Sequence, residues 1–276
     1  MARPVITFIT DFGPDSAAAI CRGVMLDIAR DAQVIDISHS VRKYAIRDAA
    51  YLLWCSVPWM PVGVHVAVVD PGVGTERLPI AIRAGRGDIL VGPDNGILVP
   101  AAERLGGIDE ARAIENPDLL LPTTTSTFHG RDIFAPAAAH VALGVPFSEV
   151  GPPLDPAGLR RLPFPEPAVA AGHIRTAVVY IDSFGNLRLA GGPDDLAAAL
   201  GPLGPGRLVR ITFEADERHP AVSEMAPWSR TFGQVGHGEA LLYEDSFGRL
   251  AYADNQGNVA ERLAIVVDRP VRIEPG

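Results

Sequence analysis

The run Gly63-Val64-His65-Val66-Ala67-Val68-Val69 constrains this chain most, because it is apolar along almost its whole length and stops at Asp70-Pro71-Gly72. A strand with one face in water alternates polar and apolar residues. A run without that alternation suits a parallel sheet covered on both faces. Val5 to Thr10 has the same texture. Around these runs, Asp15 to Arg30 shows helical spacing, with Ile20, Val24 and Ile28 on one face and Asp15-Ser16 suited to capping its start. Val34 to Ile37 reads as a short strand and Ile46 to Cys55 as a helix. Ile80-Ala81-Ile82 and Ile89-Leu90-Val91 read as further strands. Ala135 to Leu143 reads as a helix with Pro136 in its first turn and Gly144 as its stop. The expectation is an α/β domain with a mostly parallel sheet.

From Gly151 to Gly172 the texture changes to Pro-rich, with Pro152-Pro153, Pro156, Pro163, Pro165 and Pro167, which reads as a linker. Beyond it short β-like runs dominate: His173 to Ile181, Leu187-Arg188-Leu189, Leu208 to Phe213, Ala240 to Tyr243, Leu250 to Ala253 and Leu263 to Val267. Turn signals separate them, as in a small all-β barrel or sandwich. Two domains are expected: an N-terminal α/β domain over 1–165 and a C-terminal β-barrel domain over 172–276.

Composition removes several functions. At 276 residues each half can bury a core. A net charge of −9 without a basic stripe argues against nucleic acid. No apolar run approaches the ~20 residues that span a bilayer, and the chain enters its first strand without a signal peptide, so a cytoplasmic protein is expected, with no membrane partner. Cys21 and Cys55 are isolated and apolar in context, as buried free thiols are, and neither CxxC nor HExxH occurs, so no metal is expected. Lys43 is the only lysine and lies outside any GxxxxGK[ST] sequence, which removes phosphate-loop chemistry and makes a Schiff base improbable. Gly72-Val73-Gly74 fails as a dinucleotide fingerprint, because Arg77 occupies the third glycine position and Pro79 precedes a strand rather than a helix. A serine-hydrolase elbow GxSxG is missing too.

Three polar turns remain where strands end: Thr10-Asp11-Phe12-Gly13, Asp70-Pro71-Gly72 and Gly92-Pro93-Asp94-Asn95-Gly96. Ligands of open α/β sheets bind beyond the carboxyl ends of the strands, so this edge suits a hydroxyl-bearing or cationic ligand. Taken singly, each turn is also what an ordinary loop uses. Arg77 follows the second turn. His129, in Phe128-His129-Gly130-Arg131-Asp132, follows the Thr-rich run Thr123-Thr124-Thr125-Ser126-Thr127 and precedes a helix. A lone histidine there is ordinarily a packing or capping residue, and a lone arginine a surface cation. Asp70, Arg77 and His129 together supply an anion, a cation and an imidazole, enough to hold and deprotonate a water.

The ordered set Thr10-Asp11-Phe12-Gly13, Val69-Asp70-Pro71-Gly72-Val73-Gly74, Pro93-Asp94-Asn95-Gly96, Phe128-His129-Gly130-Arg131-Asp132, Asp182-Ser183-Phe184-Gly185-Asn186 and Asp254-Asn255 resembles the S-adenosyl-L-methionine (SAM) hydroxide adenosyltransferases. These SAM hydrolases are related to the SAM-dependent fluorinases and chlorinases. The resemblance runs along nearly the whole chain. It implies an α/β domain followed by a β-barrel, in a homotrimer whose SAM clefts lie between the N-terminal domain of one subunit and the C-terminal domain of the next. It implies that Asp70, Arg77 and His129 hold the attacking water, and that Asp11 binds the ribose hydroxyls. Ser16 and Asp182 then lie near the methionine amino group, Asn186 at the adenine edge, Phe232 against the adenine and Ser246 at the methionine carboxylate. Tyr44 stands where fluorinases carry a tryptophan near the sugar. Two departures separate the chain from the fluorinases: Asp70 replaces a tyrosine, and His129-Gly130 replaces Tyr-Ser, which removes the halide-binding hydroxyl. Gly130 alone leaves room for a chlorinase, but an anionic Asp70 repels a halide. The implied reaction is SAM plus water giving adenosine and L-methionine by in-line attack at ribose C5′, with no cofactor. The alternatives are a SAM-dependent chlorinase and a non-catalytic SAM- or adenosine-sensing module. Whether Asp70 or His129 takes the proton is open at this level.

Overall fold

The computed structural model describes residues 3–122 and 125–276. The chain splits into two compact units, Met1–Leu162 and Pro163–Gly276. The first holds strands β1 (Val5–Thr10), β2 (Gln33–Ser38), β3 (Val64–Val68), β4 (Pro79–Ala84), β5 (Ile89–Pro93), β6 (Ile108–Ala113) and β7 (Pro153–Leu154), with helices α1 (Ala17–Ile28), α2 (Ile46–Ser56), α3 (Val99–Arg104) and α4 (Ala135–Ala142). The sheet order is β2-β1-β3-β5-β4-β6-β7.

The sheet is mixed, which corrects the expectation of a mostly parallel one. β2, β1, β3 and β5 pair in parallel, but β4 is antiparallel to both β5 and β6, and β7 is antiparallel to β6. The reason is the link between β4 and β5. Residues 85–88 make a tight turn with Gly87 at φ +97°, and a parallel return needs a crossover of about a dozen residues or more. Apolar content alone could not report this, since β4 and β5 are both covered and equally apolar.

α1 turns a different face inward from the one its spacing suggests. Ala18, Cys21 and Met25 are buried, whereas Ile20 is 41% exposed. Val24 and Ile28 pack only partly. The buried row shares a core cluster with Ala135, Ala137, Ala138 and Val141, all from α4, so small side chains on both helices favour close approach over bulk. Ser16 occupies the position before α1 but makes no side-chain capping bond. Between His129 and α4 the backbone runs through one turn of π-helix, Gly130–Phe134, a geometry that recurs at functional sites. The Pro-rich stretch is not wholly a free linker, because its early part supplies β7.

The second unit contains β8 (Ala168–Ala170), β9 (His173–Ile181), β10 (Leu187–Leu189), β11 (Leu208–Phe213), β12 (Val222–Ser229), β13 (Ala240–Glu244), β14 (Leu250–Asp254) and β15 (Pro270–Pro275), plus helices α5 (Pro193–Leu200) and α6 (Val259–Arg262). The order β10-β14-β13-β12-β11-β15-β9 closes through a β9–β10 pairing into a seven-stranded barrel, with β8 added outside on β9. Leu187, Val209, Ile211, Phe213, Tyr252 and Ile273 fill its interior. Leu263 to Val267 is not a strand: Ala264 at φ 50° and Asp268 at φ 71° turn the chain there, and the last strand is β15. β12, with Glu224 and Pro227 breaking its apolar pattern, carries no clear strand signal in sequence.

Candidate active site

In the first unit the chain leaves β1 for β2 on one side and later places β3 on the other, so strand order reverses between β1 and β3. Where strand order reverses, the connections leaving the carboxyl ends of the two strands diverge and leave a crevice. Thr10 lies opposite Val68 in register, which brings Asp11 and Asp70 out at this same point. A cavity of about 110 Å³ opens there, lined by Asp11, Phe12, Tyr44, Val68, Asp70, Val73, Thr127, Phe128, His129 and Gly130.

Arg77 joins the acidic and imidazole groups. Its Nε donates to Asp70 Oδ1 at 3.1 Å and its Nη2 to Asp70 Oδ2. The same Nη2 lies 3.0 Å from His129 Nδ1. The Asp70 and Arg77 side chains are only 6% and 7% exposed, and the guanidinium carbon sits 5.3 Å from the Phe134 ring centroid. A guanidinium has donors only, so His129 Nδ1 is the acceptor and a neutral ring carries its proton on Nε2. Burial holds the His129 pKa below the ordinary imidazole value, and the Arg77 charge pushes the same way against the opposing pull of Asp70 and Asp132. The loop before His129 is fixed by Asp132, whose fully buried Oδ2 accepts from both the N–H and the hydroxyl of Thr125, each at 2.8 Å. Thr123 and Thr124 of the Thr-rich run lie outside the described residues.

Asp11 is buried at the end of β1, and its Oδ2 accepts the Tyr44 N–H at 2.9 Å. The Tyr44 side chain remains 72% exposed at the cavity rim. Ser16 is exposed and is absent from the lining. Gly130 is tightly seated: a Cβ there would lie 3.1 Å from Phe12 Cζ and 3.5 Å from Cys21 Sγ. A serine at this position would therefore press on Phe12. Phe12 and Phe128, each part of a quoted motif, form an aromatic wall, edge-on at 5.9 Å between centroids, a contact that their separate motifs do not reveal.

Four residues singled out in the second half meet in the barrel unit. Asp182, Asn186, Phe232 and Ser246 line one pocket of about 700 Å³ together with Phe184, Arg188, Arg230, Tyr243 and others. Asp182 is already well supplied with donors. Its Oδ1 accepts the Phe184 and Asn186 N–H groups, and its Oδ2 accepts Asn186 Nδ2 at 3.0 Å and Arg188 Nη2 at 3.2 Å. Arg188 also contacts Asp245 at 3.2 Å and the Tyr243 hydroxyl at 3.3 Å. Phe232 packs against Tyr243 at 5.0 Å between centroids. Arg188 and Tyr243 escaped the sequence reading because each sits mid-strand in an ordinary β pattern. Among the described residues no group of three or more His, Cys, Asp or Glu side chains is placed to hold a metal ion, and no helix is long and apolar enough to cross a membrane.

The chain thus joins a mixed-sheet unit with a switch-point cavity to a closed barrel carrying a polar-aromatic pocket. Residues 6–151 match the SAM hydroxide adenosyltransferase N-terminal domain and residues 176–272 match the C-terminal domain of the same family. The chain belongs to the SAM hydroxide adenosyltransferase family. It is 42% identical to a protein of Salinispora tropica named (R)-S-adenosyl-L-methionine hydrolase, covering 99% of this chain and 98% of that one. Identity to a Thermus thermophilus protein of the same name is 36%, over 98% and 99% of the two chains. A fluorinase of Actinopolyspora mzabensis is more distant, at 27% identity over 99% and 97%. The crystal structure of an uncharacterized conserved protein from Thermotoga maritima superposes with a TM-score of 0.89 at 32% identity, covering 97% and 99%.

Proposed function

We infer that the protein hydrolyses S-adenosyl-L-methionine to adenosine and L-methionine, and that its substrate is the R sulfonium epimer, as the names of its relatives specify. The observation that carries the reading is the Asp70–Arg77–His129 chain of contacts beside a crevice that also holds Asp11. Water oxygen bonds to ribose C5′ as the C5′–S bond breaks and its electron pair stays on sulfur. The leaving group is then a neutral thioether, so the site needs no general acid and no cofactor. What it must supply is an aligned water and a destination for one proton.

The contacts favour a division of labour. His129 already accepts from Arg77 through Nδ1, so its Nε2–H is a donor that holds the water oxygen and steadies its growing hydroxide character. Asp70 takes the proton, late in the transition state; each carboxylate oxygen keeps a second lone pair beside the Arg77 bonds. Pairing with Arg77 cancels much of the Asp70 charge, so repulsion of a halide is weaker than a lone carboxylate would give. The preference for water rests more firmly on the nearer kinship with hydrolases than with fluorinases, and on the tight seat of Gly130, where a Cβ would already press on Phe12.

We propose that Asp11 and Tyr44 hold the ribose, and that Ser16, Asp182, Asn186, Phe232 and Ser246 serve the methionine and adenine ends, within a homotrimer. Tyr44 and Phe184 support the oligomer, since each borders a substrate cavity with over 70% of its surface bare in the single chain. A cytoplasmic setting fits Cys21 and Cys55, which are free and buried. Cleavage in ¹⁸O-water tests the reaction: label is expected in the adenosine 5′-hydroxyl. Unlabelled adenosine, a 5′-chlorinated product when chloride is added, or SAM retained intact would each overturn hydrolysis, the last in favour of a sensing module.

A further inference from the structure

The chain's single lysine does more than carry a surface charge. Lys43 Nζ donates to the carbonyl oxygens of two successive residues, Asp11 at 2.7 Å and Phe12 at 3.2 Å. These carbonyls belong to the turn that presents the Asp11 carboxylate at the end of β1. The next residue completes a second hold on the same group, the Tyr44 N–H on Asp11 Oδ2 at 2.9 Å. Gly13 N–H, bonded to His39 O at 2.7 Å, ties the far side of the turn to the same 39–44 segment.

Three features show that the segment is built for this grip. Tyr44 is held at φ 65°, a left-handed backbone that a tyrosine seldom adopts. Arg42 forks onto the buried Asp48 at 2.6 and 2.8 Å and so anchors the segment to the first turn of α2. Gly13, at φ +75°, would carry a Cβ 3.6 Å from Lys43 Nζ, so the turn passes close beneath the ammonium group. An exposed lysine without partners contributes little to any site. This one fastens the backbone on both sides of the Asp11–Phe12 peptide bond.

We propose that Lys43 is a positioning residue for Asp11, setting substrate affinity through the turn rather than by touching substrate. The proposal rests on the reading of Asp11 as a substrate-binding carboxylate. Lys43→Met is expected to raise KM for SAM by about three- to tenfold, the scale of one ordinary net hydrogen bond because water can replace the exposed ammonium group, with kcat within about twofold. Lys43→Arg, which keeps a donor and a charge, should recover most of the affinity. In an Asp11→Ala background, Lys43→Met should change KM no further, because its effect passes through Asp11.

Should Lys43→Met fail to fold, amine-selective acetylation of the folded wild type gives a second measurement, because only Lys43 and the N-terminal amine can react. Acetylation should raise KM as the substitution does. The same treatment of Lys43→Arg corrects for the N-terminus and should leave KM unmoved. An unchanged KM in Lys43→Met or in the acetylated enzyme, or an equal rise with and without Asp11, overturns the proposal while hydrolysis stands. A wild type that neither binds nor cleaves SAM overturns both.

Discussion

Residue by residue, the protonation of His129 is the sharpest consequence of the site. Burial and the Arg77 charge both hold its pKa below the ordinary value, so the neutral form that accepts from Arg77 prevails at neutral pH. Protonation at lower pH would consume the Nδ1 lone pair and set two cations side by side. Cleavage should therefore be independent of this group above about pH 6.5 and decline only below it. A pH–rate profile with an NMR titration of the His129 ring checks this; a rate that falls as pH rises through the His129 titration would show that an imidazolium is the working form. The sign for stability is the same: the contribution of neutral His129 is complete above the unfolded pKa and is lost as pH falls toward the folded one. The family pattern made Asp70, Arg77 and His129 visible in sequence, but not their contacts. Seven residues separate Asp70 from Arg77 and 52 separate Arg77 from His129, and nothing in those spacings says that one guanidinium nitrogen serves both.

Among the elements, β3 and β5 carry a polar network hidden in an apolar sheet. His65, fully buried in β3, lies 2.9 Å from Thr7 Oγ1 through Nδ1 and 2.9 Å from Asp88 Oδ1 through Nε2. Asp88, equally buried just before β5, also receives the Arg86 fork at 2.6 and 2.9 Å and the Gly63 N–H at 3.2 Å. Burial alone would raise its pKa, but the hydrogen bonds from His65 and Arg86 prevail and hold it well below the ordinary carboxylate value. Asp88→Ala leaves the buried His65 Nε2 without its partner, while Arg86, 31% exposed, can turn to water, so the substitution should cost about 1–3 kcal/mol in the first unit. Urea unfolding read from Trp54 and Trp59 should show the loss at neutral pH, with Trp228 in the barrel little affected. Because the folded pKa is depressed, the deficit should be complete above about pH 4 and shrink as pH falls below it. Equal stability of the variant would mean that the network is dispensable. The helix α1 shows the converse limit of reading elements from sequence. Its periodicity was legible, but Ile20 faces outward because the neighbouring helix offers an alanine face that close-packs against Ala18 and Cys21.

At the scale of the whole molecule, the candidate substrate residues fall into two sets, one in each unit, separated by a Pro-rich stretch. If both sets serve one substrate within an oligomer whose clefts are shared between subunits, inactive variants with lesions in different units should complement. Asp70→Ala mixed with Asn186→Ala, after subunit exchange, is expected to regain a fraction of wild-type cleavage from clefts that contain neither lesion. Mass-resolved mixed oligomers without recovered activity would place both sets within one chain.

Sequence by itself determined most elements of the first unit, most of the barrel strands, the polar turns at strand ends and the order of motifs that marks the family. Those properties are local or linear: periodicity, turn chemistry and residue identity survive without knowledge of neighbours. Tertiary structure decided what depends on partners far along the chain. The sheet became mixed because the Gly85-Arg86-Gly87 turn is too short for a parallel return. Arg77 became a bridge because β3 and the π turn bring Asp70 and His129 to either side of it. Lys43 acquired its partners because the segment after β2 folds back over the end of β1. In each case the deciding interaction is a distance between residues that the linear order keeps apart.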